Sequence, residues 1–472
     1  MKSSKVKPKE NLMASDAKLY SAPKKTMWIW GLGGVSDALM IMTFGLVFPI
    51  FNTGFGLDSV LLSWAIMLPR LTDAILDPTL GHFSDNLRTR WGRRKPILLV
   101  TAILGALLVA GIWWVSPAWP KQLQFVYLII FATGYYCTWG TYSMSHTALG
   151  YELTDDYHER SRLIAIRAIF VQIVTLIVSY TYWMALHPIF GGEINGIRII
   201  SGVFALTIVA FTVPVLLKTK ERFTHPASKH SGILKALMEA LHLKPFRTYL
   251  LMRFFSAFGQ VIFNQMCFYV NVYYVCEGNK PLATKIIGLA TTLTVVLTLL
   301  LMPLVPMISR KVGKRRGFIL GAGLTVCQAV MMPLLFIPHY PYLQLIAAGL
   351  TGPIIAIGIV LRDAIVPDIC DLDEVVNGKR REGLLTAAIA FVYKMEVSLC
   401  VLVVGYMISW SKFLPQAAVQ TPDVVSRLQW FTFAPNIIFA MLAFYFAVRF
   451  SITEENAAEN SAILLKRRQA LE

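Results

Sequence analysis

Residues 69–96 read PRLTDAILDPTLGHFSDNLRTRWGRRKP, and the fold turns on how this stretch is read. Its first half has the pattern of an apolar helix carrying two carboxylates, Asp73 and Asp77, four residues apart. Its second half holds five cations, Arg88, Arg90, Arg93, Arg94 and Lys95, closed by Pro96. Residues four apart share a helix face, about 5–6 Å from each other. In lipid, ionisable groups are costly and mark pathways for ions or substrates. Two acids side by side there form a seat for a proton or a metal cation.

The composition around this stretch supports a lipid setting. Of 472 residues, 56% are hydrophobic and only 15% charged, with a mean hydropathy of +0.58. Soluble chains carry about 25% charged residues. Apolar residues arrive in blocks of about 20, the length a membrane-spanning helix needs. The net charge of +17 raises the possibility of nucleic acid, but the cations lie between apolar blocks and not on one soluble module. The six cysteines are scattered, without CxxC spacing or a disulfide framework. No GxxxxGK[ST] loop, zinc-ligand spacing or nucleophile–base motif occurs, so neither ATP-driven transport nor an enzyme is expected, and no cofactor.

Counting blocks gives an all-α membrane protein of twelve spans. The first six lie near 27–52, 60–82, 96–116, 122–149, 163–187 and 197–217. The second six lie near 247–275, 283–308, 317–338, 341–365, 384–411 and 429–450. The expected organisation is a tail (1–26), a six-helix bundle (27–217), a linker (218–246) with an amphipathic piece at 232–242, a second bundle (247–450) and a tail (451–472). The block after Met27 is too long for a signal-peptide core and reads as the first span. Lys and Arg crowd the N-terminal tail and the even-to-odd connections, whereas residues 53–60 and 187–197 have none. Lys121, Arg198, Lys280, Lys285, Lys412 and Arg427 are the exceptions. Positive charge stays on the cytosolic side, so both termini are expected there, in a multi-pass protein of the plasma (inner) membrane. Basic turns after the second and eighth spans, GRRKP (92–96) and GKRRG (313–317), suggest duplicated bundles about a central cavity.

Charges inside the blocks are the candidate functional groups, each with a plainer reading as a packing contact. Asp37, in GLGGVSDALM, lies about 15 Å along the first span, near the bilayer midplane. The small residues before it admit a close neighbouring helix. Arg70 stands three residues before Asp73 and is a possible partner for it. Asp85 belongs with the basic loop. His146 either meets a polar substrate or proton, or is an ordinary hydrogen-bonded helix histidine. Arg167 suits bidentate contact with a carboxylate or hydroxyl pair. Arg253, Gln260, Asn264, Gln265 and Asn271 are polar positions suited to a wet cavity. Arg362 and Asp363 close the tenth span, and the acids after Pro367 read as a cytosolic gate. Lys394 needs a carboxylate partner, with Asp73, Asp77 and Asp37 the candidates, while Glu396 points to another helix face.

Together DAILDPTLGHFSD (73–85), GRRKP, ALGYELTDDYHERSRL (148–163), PDICDLDE (367–374) and GKRREG (378–383) resemble the glycoside–pentoside–hexuronide:cation symporters of the major facilitator superfamily. The likeness extends over nearly the whole chain. It implies a carrier that imports a sugar, glycoside or uronide with H⁺ or Na⁺ by alternating access, working as a monomer in the bilayer. Under it Asp73 and Asp77 form the cation site, a metal site only if Na⁺ is used. Asp37 and Arg167 contact the sugar, and Lys394 links the two sites. Where the family's prototype has a sugar-binding acid on span four, this chain offers Ser143 or His146. Asp85, Arg93, Arg94, Arg315, Asp368 and Asp371 form the expected cytosolic gate. Na⁺-using members often place a polar residue before the second acid. Here it is Leu76, which removes an oxygen ligand and favours the proton. The alternatives are a lysolipid or other amphiphile carrier of the same superfamily, or a non-transporting sugar sensor on this fold.

Overall fold

The structure is a computed structural model that describes residues 22–87, 89–154, 156–221, 238, 241–378 and 382–469. Several expectations fall outside the described residues. They concern the side chains of Asp77, Asp85, Arg310, Arg362 and Asp363, together with Arg88, residues 379–381 and most of the 232–242 linker piece.

Among the described residues the regular structure is helical, apart from one isolated bridge between Thr89 and Gly92. The first six long helices are α1 (Lys24–Phe44, continued by α2, Val47–Thr53), α3 (Ser59–Asn86), α4 (Lys95–Gly111), α5 (Lys121–Tyr151), α6 (Tyr157–Ser179, continued by α7, Thr181–Ala185) and α8 (Glu193–Lys218). The next six are α9 (Lys244–Val270), α10 (Lys280–Leu301, followed by α11, Val305–Val312), α12 (Lys314–Leu335), α13 (Gln344–Asn377), α14 (Glu382–Trp410) and α15 (Pro422–Val448). A further helix, α16 (Glu454–Gln469), occupies the expected C-terminal tail. Proline opens α4, α9, α10 and α15 in the first turn, where its missing N–H leaves no intrahelical bond unmade.

Among the described residues, nine of these segments are long and apolar enough to cross a membrane. Of the twelve long helices, α3, α5 and α9 fall outside that set, and each carries polar residues that the sequence singled out: Arg70 and Asp73, Ser143 and His146, Arg253 and Asn264. One boundary is corrected. The tenth block was expected to end near residue 365, but α13 runs on to Asn377, so Asp368 and Asp371 stand on a helix and not in a loop. Pro367 removes one N–H without ending the helix. The stop comes at Gly378, whose left-handed φ of 68° and N–H bond to Glu374 form the C-terminal cap.

Packing repeats with an offset of six helices. In the first set α1 packs on α6 and α8, α3 on α5, and α4 on α5 and α8. In the second set α9 packs on α14 and α15, α10 on α13, and α12 on α13 and α15. Across the sets α3 meets α14 and α6 meets α10, a reciprocal pair under the same offset. The two ends of the molecule differ. One hydrophobic core takes in the first set and the parts of the second set farthest from the chain termini, such as Phe268, Tyr269, Ile286 and Phe413. A separate core, with Phe246, Phe318, Leu385 and Phe450, belongs to the second set alone, at the end bearing the termini.

Candidate functional site

The central contact between the sets is built by α3 and α14, which run antiparallel. Ser59 Oγ donates to Gly405 O at 2.9 Å, and a Cβ on Gly405 would come within 2.4 Å of Ser63 Cβ, so the helices touch there backbone to side chain. Further along this seam Lys394 Nζ reaches Asp73 Oδ2 at 2.9 Å. Asp73 is 1% exposed, and Lys394 stands a quarter exposed beside it. Of the acids open to Lys394 from the sequence, Asp73 is the one on it among the described side chains. Arg70, the other candidate partner, lies over the Tyr136 ring, 5.5 Å from its centroid.

Asp37 is engaged within the first set. Its carboxylate pairs with Arg167 Nη2 and accepts from Trp139 Nε1 at 3.0 Å, while Arg167 Nη1 donates to Thr147 Oγ1 at 2.9 Å. Glycines make this possible. A Cβ at Gly34 would sit 2.9 Å from Arg167 Cγ, and one at Gly33 would sit 2.3 Å from His146 Nε2. Trp139 and Tyr136 stand edge to face with centroids 6.5 Å apart, so aromatic rings bridge the surroundings of Asp37 and Arg70.

His146 has a packing role. It is fully buried and stacked on Trp30 with centroids 4.7 Å apart. Its Nε2 donates to Trp30 O at 2.9 Å, while Trp30 Nε1 donates to His146 O at 3.0 Å. This reciprocal pair locks α1 to α5 and fixes the Nε2–H tautomer. Ser143, one turn away, is partly exposed.

The main cavity, about 650 Å³, lies elsewhere than Asp37, His146 and Arg167. Its volume falls within the range of small-molecule sites. Most of its wall comes from α9, α10, α12 and α13, with Gly45, Pro49, Ser179 and Tyr182 from the first set. All five polar positions anticipated in the seventh block, from Arg253 to Asn271, line it. Further polar lining went unread in the sequence: Ser256 of α9, Thr284, Thr291 and Thr294 of α10, Thr325 of α12, and Gln344 and Thr351 of α13. Spacings of three and seven put the α10 threonines on one helix face, which is the signal that was available. Most of the wall is apolar, with Met252, Phe263, Phe268, Ile287, Phe336 and Ile355 among its residues, and its polar part is neutral amide and hydroxyl except for Arg253, the one charged residue among the described residues. Those polar groups can hydrogen-bond a polyhydroxylated ligand from both donor and acceptor sides, while the apolar part suits the faces of a ring.

At the end away from the termini, the sets are tied together. Glu193 on α8 accepts from Tyr182 Oη at 2.5 Å and pairs with Lys280 of α10 at 3.3 Å. Tyr269 Oη donates to Asn52 Oδ1 at 2.9 Å, and Tyr182 stacks on Phe268 with centroids 5.4 Å apart. Three cations that depart from the charge bias are each spoken for here. Lys280 holds Glu193, Lys121 donates to Phe55 O at 2.6 Å, and Arg198 donates to Trp113 O and Val115 O, each at 2.9 Å.

At the termini end the contacts described for the expected gate residues include pairs within their own sets. Arg93 and Arg94 hold Glu152 at 2.8 and 3.2 Å, while the Glu221 carboxylate accepts from the backbone N–H groups of Arg93, Arg94 and Lys95 at 2.6, 2.9 and 2.9 Å. In the second set Lys314 Nζ holds Asp368 at 2.8 Å, its backbone N–H donates to Glu454 at 3.2 Å, and Arg315 donates to Phe450 O at 2.8 Å. Asp371 accepts from Ser461 of α16 at 3.4 Å. The two basic turns are thus built alike. A glycine with positive φ (Gly92, 108°; Gly313, 91°) turns the chain, and a glutamate beyond the sixth helix of the set caps the next helix.

Comparison with known proteins adds three findings. The family described as MFS/sugar transport protein matches residues 29–454. Among curated relatives, the chain is 26% identical over 377 residues to the uncharacterized symporter YnaJ of Bacillus subtilis, covering 78% of each chain. It is 23% identical over 424 residues to the isoprimeverose transporter of Lactiplantibacillus pentosus, covering 87% of this chain and 85% of that one. Among solved structures, a bacterial homolog of the human lysosomal transporter Spinster in an inward-facing, unoccupied conformation superposes with a TM-score of 0.65 at 13% identity. That match covers 92% of this chain and 98% of the other, a likeness of fold.

Proposed function

Given that the chain belongs to the MFS/sugar transport protein family, and so is a multi-pass membrane transporter of the plasma (inner) membrane and not an enzyme, we propose that it imports a sugar, glycoside or uronide by symport, with H⁺ as the favoured coupling ion. On this reading twelve helices span the bilayer as bundles 27–217 and 247–450, joined by the linker, with both termini cytosolic and the carrier monomeric. The observation that carries the proposal is the Lys394–Asp73 pair. It joins the two sets at 2.9 Å on a carboxylate that is 1% exposed. A buried pair of this kind is costly to keep and costly to break one-sidedly, so neutralising the acid changes how the sets hold together.

In the proposed cycle a proton or cation enters at Asp73 and Asp77 and releases Lys394. The sugar is taken up by the amide and hydroxyl groups set in the otherwise apolar cavity wall, with Asp37, Arg167 and the partly exposed Ser143 meeting it as the sets rock. His146 holds α1 to α5. The tight contacts at the Glu193–Lys280 end, and the gate residues paired within their own sets at the other, support a state closed to the outside. In the opposite state Arg93, Arg94, Arg315, Asp368 and Asp371, with Asp85, would face one another across the sets. Leu76 brings no oxygen to the acid pair, which supports H⁺ over Na⁺. The isoprimeverose transporter is among the relatives whose names give a substrate, and it puts isoprimeverose on the panel to test.

Proteoliposome uptake over neutral glycosides, uronides and lysolipids, with pH and Na⁺ gradients imposed separately, tests the reading. Concentrative uptake of a sugar driven by a pH gradient is expected. Movement of lysolipids alone, or sugar binding with no counterflow, would replace it.

A further inference from the structure

Glu396 takes no part in the cycle above, yet it is 1% exposed and its Oε1 has no hydrogen-bond partner among the described residues. It lies on α14 two residues beyond Lys394, on a different face, so the Lys394–Asp73 pair does not serve it. The helices packed against α14 are α3, α9, α13 and α15. From α9 comes Arg253, which lies over the Tyr393 ring. From α3 come Arg70, which lies over the Tyr136 ring, and Asp73, held by Lys394. The charges of α15 (Asp423, Arg427, Arg449) sit toward its ends, and Asp368, Asp371, Asp373 and Glu374 belong to the far end of α13. On α14 itself the titratable neighbours are Tyr393, Lys394 and Cys400.

Arg253 has two attachments. Its guanidinium lies over the Tyr393 ring, 5.1 Å from the centroid, and it is the charged residue of the cavity wall. Tyr393 precedes Glu396 by three positions, so their Cβ atoms are neighbours on the helix, about 5–6 Å apart. Arg253, on the Tyr393 ring, therefore stands beside the stretch of α14 that carries Glu396. A buried carboxylate with an unmet oxygen costs more than a neutral carboxyl in the same place, and it is relieved either by a proton or by a cation.

We propose that Glu396 is a second proton-binding site, separate from Asp73 and Asp77, which sets through Arg253 how the cavity wall presents its one positive charge. With Glu396 protonated, Arg253 rests on Tyr393 and faces the cavity. When Glu396 releases its proton to water, the carboxylate draws Arg253 off the wall. A ligand that engages Arg253 must then favour proton uptake at Glu396 by the same factor that the proton favours the ligand. The proposal rests on the carrier reading above, but its test needs no substrate.

The test is infrared difference spectroscopy of the purified full-length protein, titrated without ligand from about pH 5 to about pH 9, the range that burial opens to a carboxyl. The expected result is a carbonyl band of a protonated carboxyl at neutral pH, smaller by one carboxyl per protein in Glu396→Gln and retained in Glu396→Asp. In Arg253→Met the band should persist to higher pH, by about one unit or more, since an opposing cation has been removed. A Glu396→Gln spectrum that loses no carbonyl band overturns the site. A band unaffected by Arg253→Met overturns its link to the cavity. Failure of the uptake panel with these bands present would count against the carrier reading alone.

Discussion

Replacing Lys394 by Met should destabilise the protein far more when Asp73 is present than when it is not. At 2.9 Å and an effective dielectric near 20, the attraction between the two charges is about 6 kcal/mol. Desolvation of the buried acid offsets much of this, so the net loss on removing one partner is about 3–5 kcal/mol. With Asp73→Asn already in place, the Lys394–Asp73 ion pair is gone and Lys394→Met should cost about 1 kcal/mol or less. The coupling energy is then about 2–4 kcal/mol. Unfolding in dodecyl maltoside micelles titrated with dodecyl sulfate measures it, with the 11 tryptophans supplying the fluorescence signal. Penalties of the two single variants that add to within about 0.5 kcal/mol would refute the reasoning, because independent sites behave that way.

Three further outcomes follow from the geometry. Glu193→Gln removes the charge that holds Lys280 across the sets, so labelling of a Thr291→Cys probe by an impermeant maleimide from the outer face should rise severalfold; an unchanged rate would mean that this pair does not tie the sets. Glu221→Ala leaves the first N–H groups of α4 without their carboxylate and should cost about 1–3 kcal/mol in the same unfolding assay, with Glu221→Gln in between. His146→Phe keeps the stack on Trp30 and loses one hydrogen bond. It should therefore cost about 1 kcal/mol of stability and leave the pH profile of uptake unmoved, whereas a displaced profile would assign His146 to proton transfer.

What the sequence discloses here is set by how local the physics is. Apolar blocks and first-turn prolines are local, so the helices begin close to where the pattern puts them. The end of α13 is misread because the apolar run closes at Arg362 and Asp363, whereas the helix itself continues to its stop at the left-handed Gly378. Glycines before Asp37 correctly announce a close neighbour, but not that Gly33 makes room for His146 or Gly34 for Arg167. The choice of Asp73 for Lys394 depends on how α3 slides along α14, which no spacing in either helix encodes. Likewise, threonines in an apolar helix are ordinary singly and become a cavity wall only when α10 and α13 face each other. Glu221 and Glu193 are the clearest omissions. Each acts on groups more than 80 residues away in the chain, through helix ends that only the packing brings together.

The central claim is that acids on α3 couple a cation to sugar movement, and the most direct measurement is concentrative uptake by Asp77→Asn in proteoliposomes under an imposed pH gradient. The account predicts that wild-type protein accumulates the sugar above the external concentration. The variant should only equilibrate it while still exchanging labelled for unlabelled sugar. A variant that still concentrates the sugar would contradict the claim, and accumulation by wild-type protein that follows Na⁺ at constant pH would reverse the assignment of the ion.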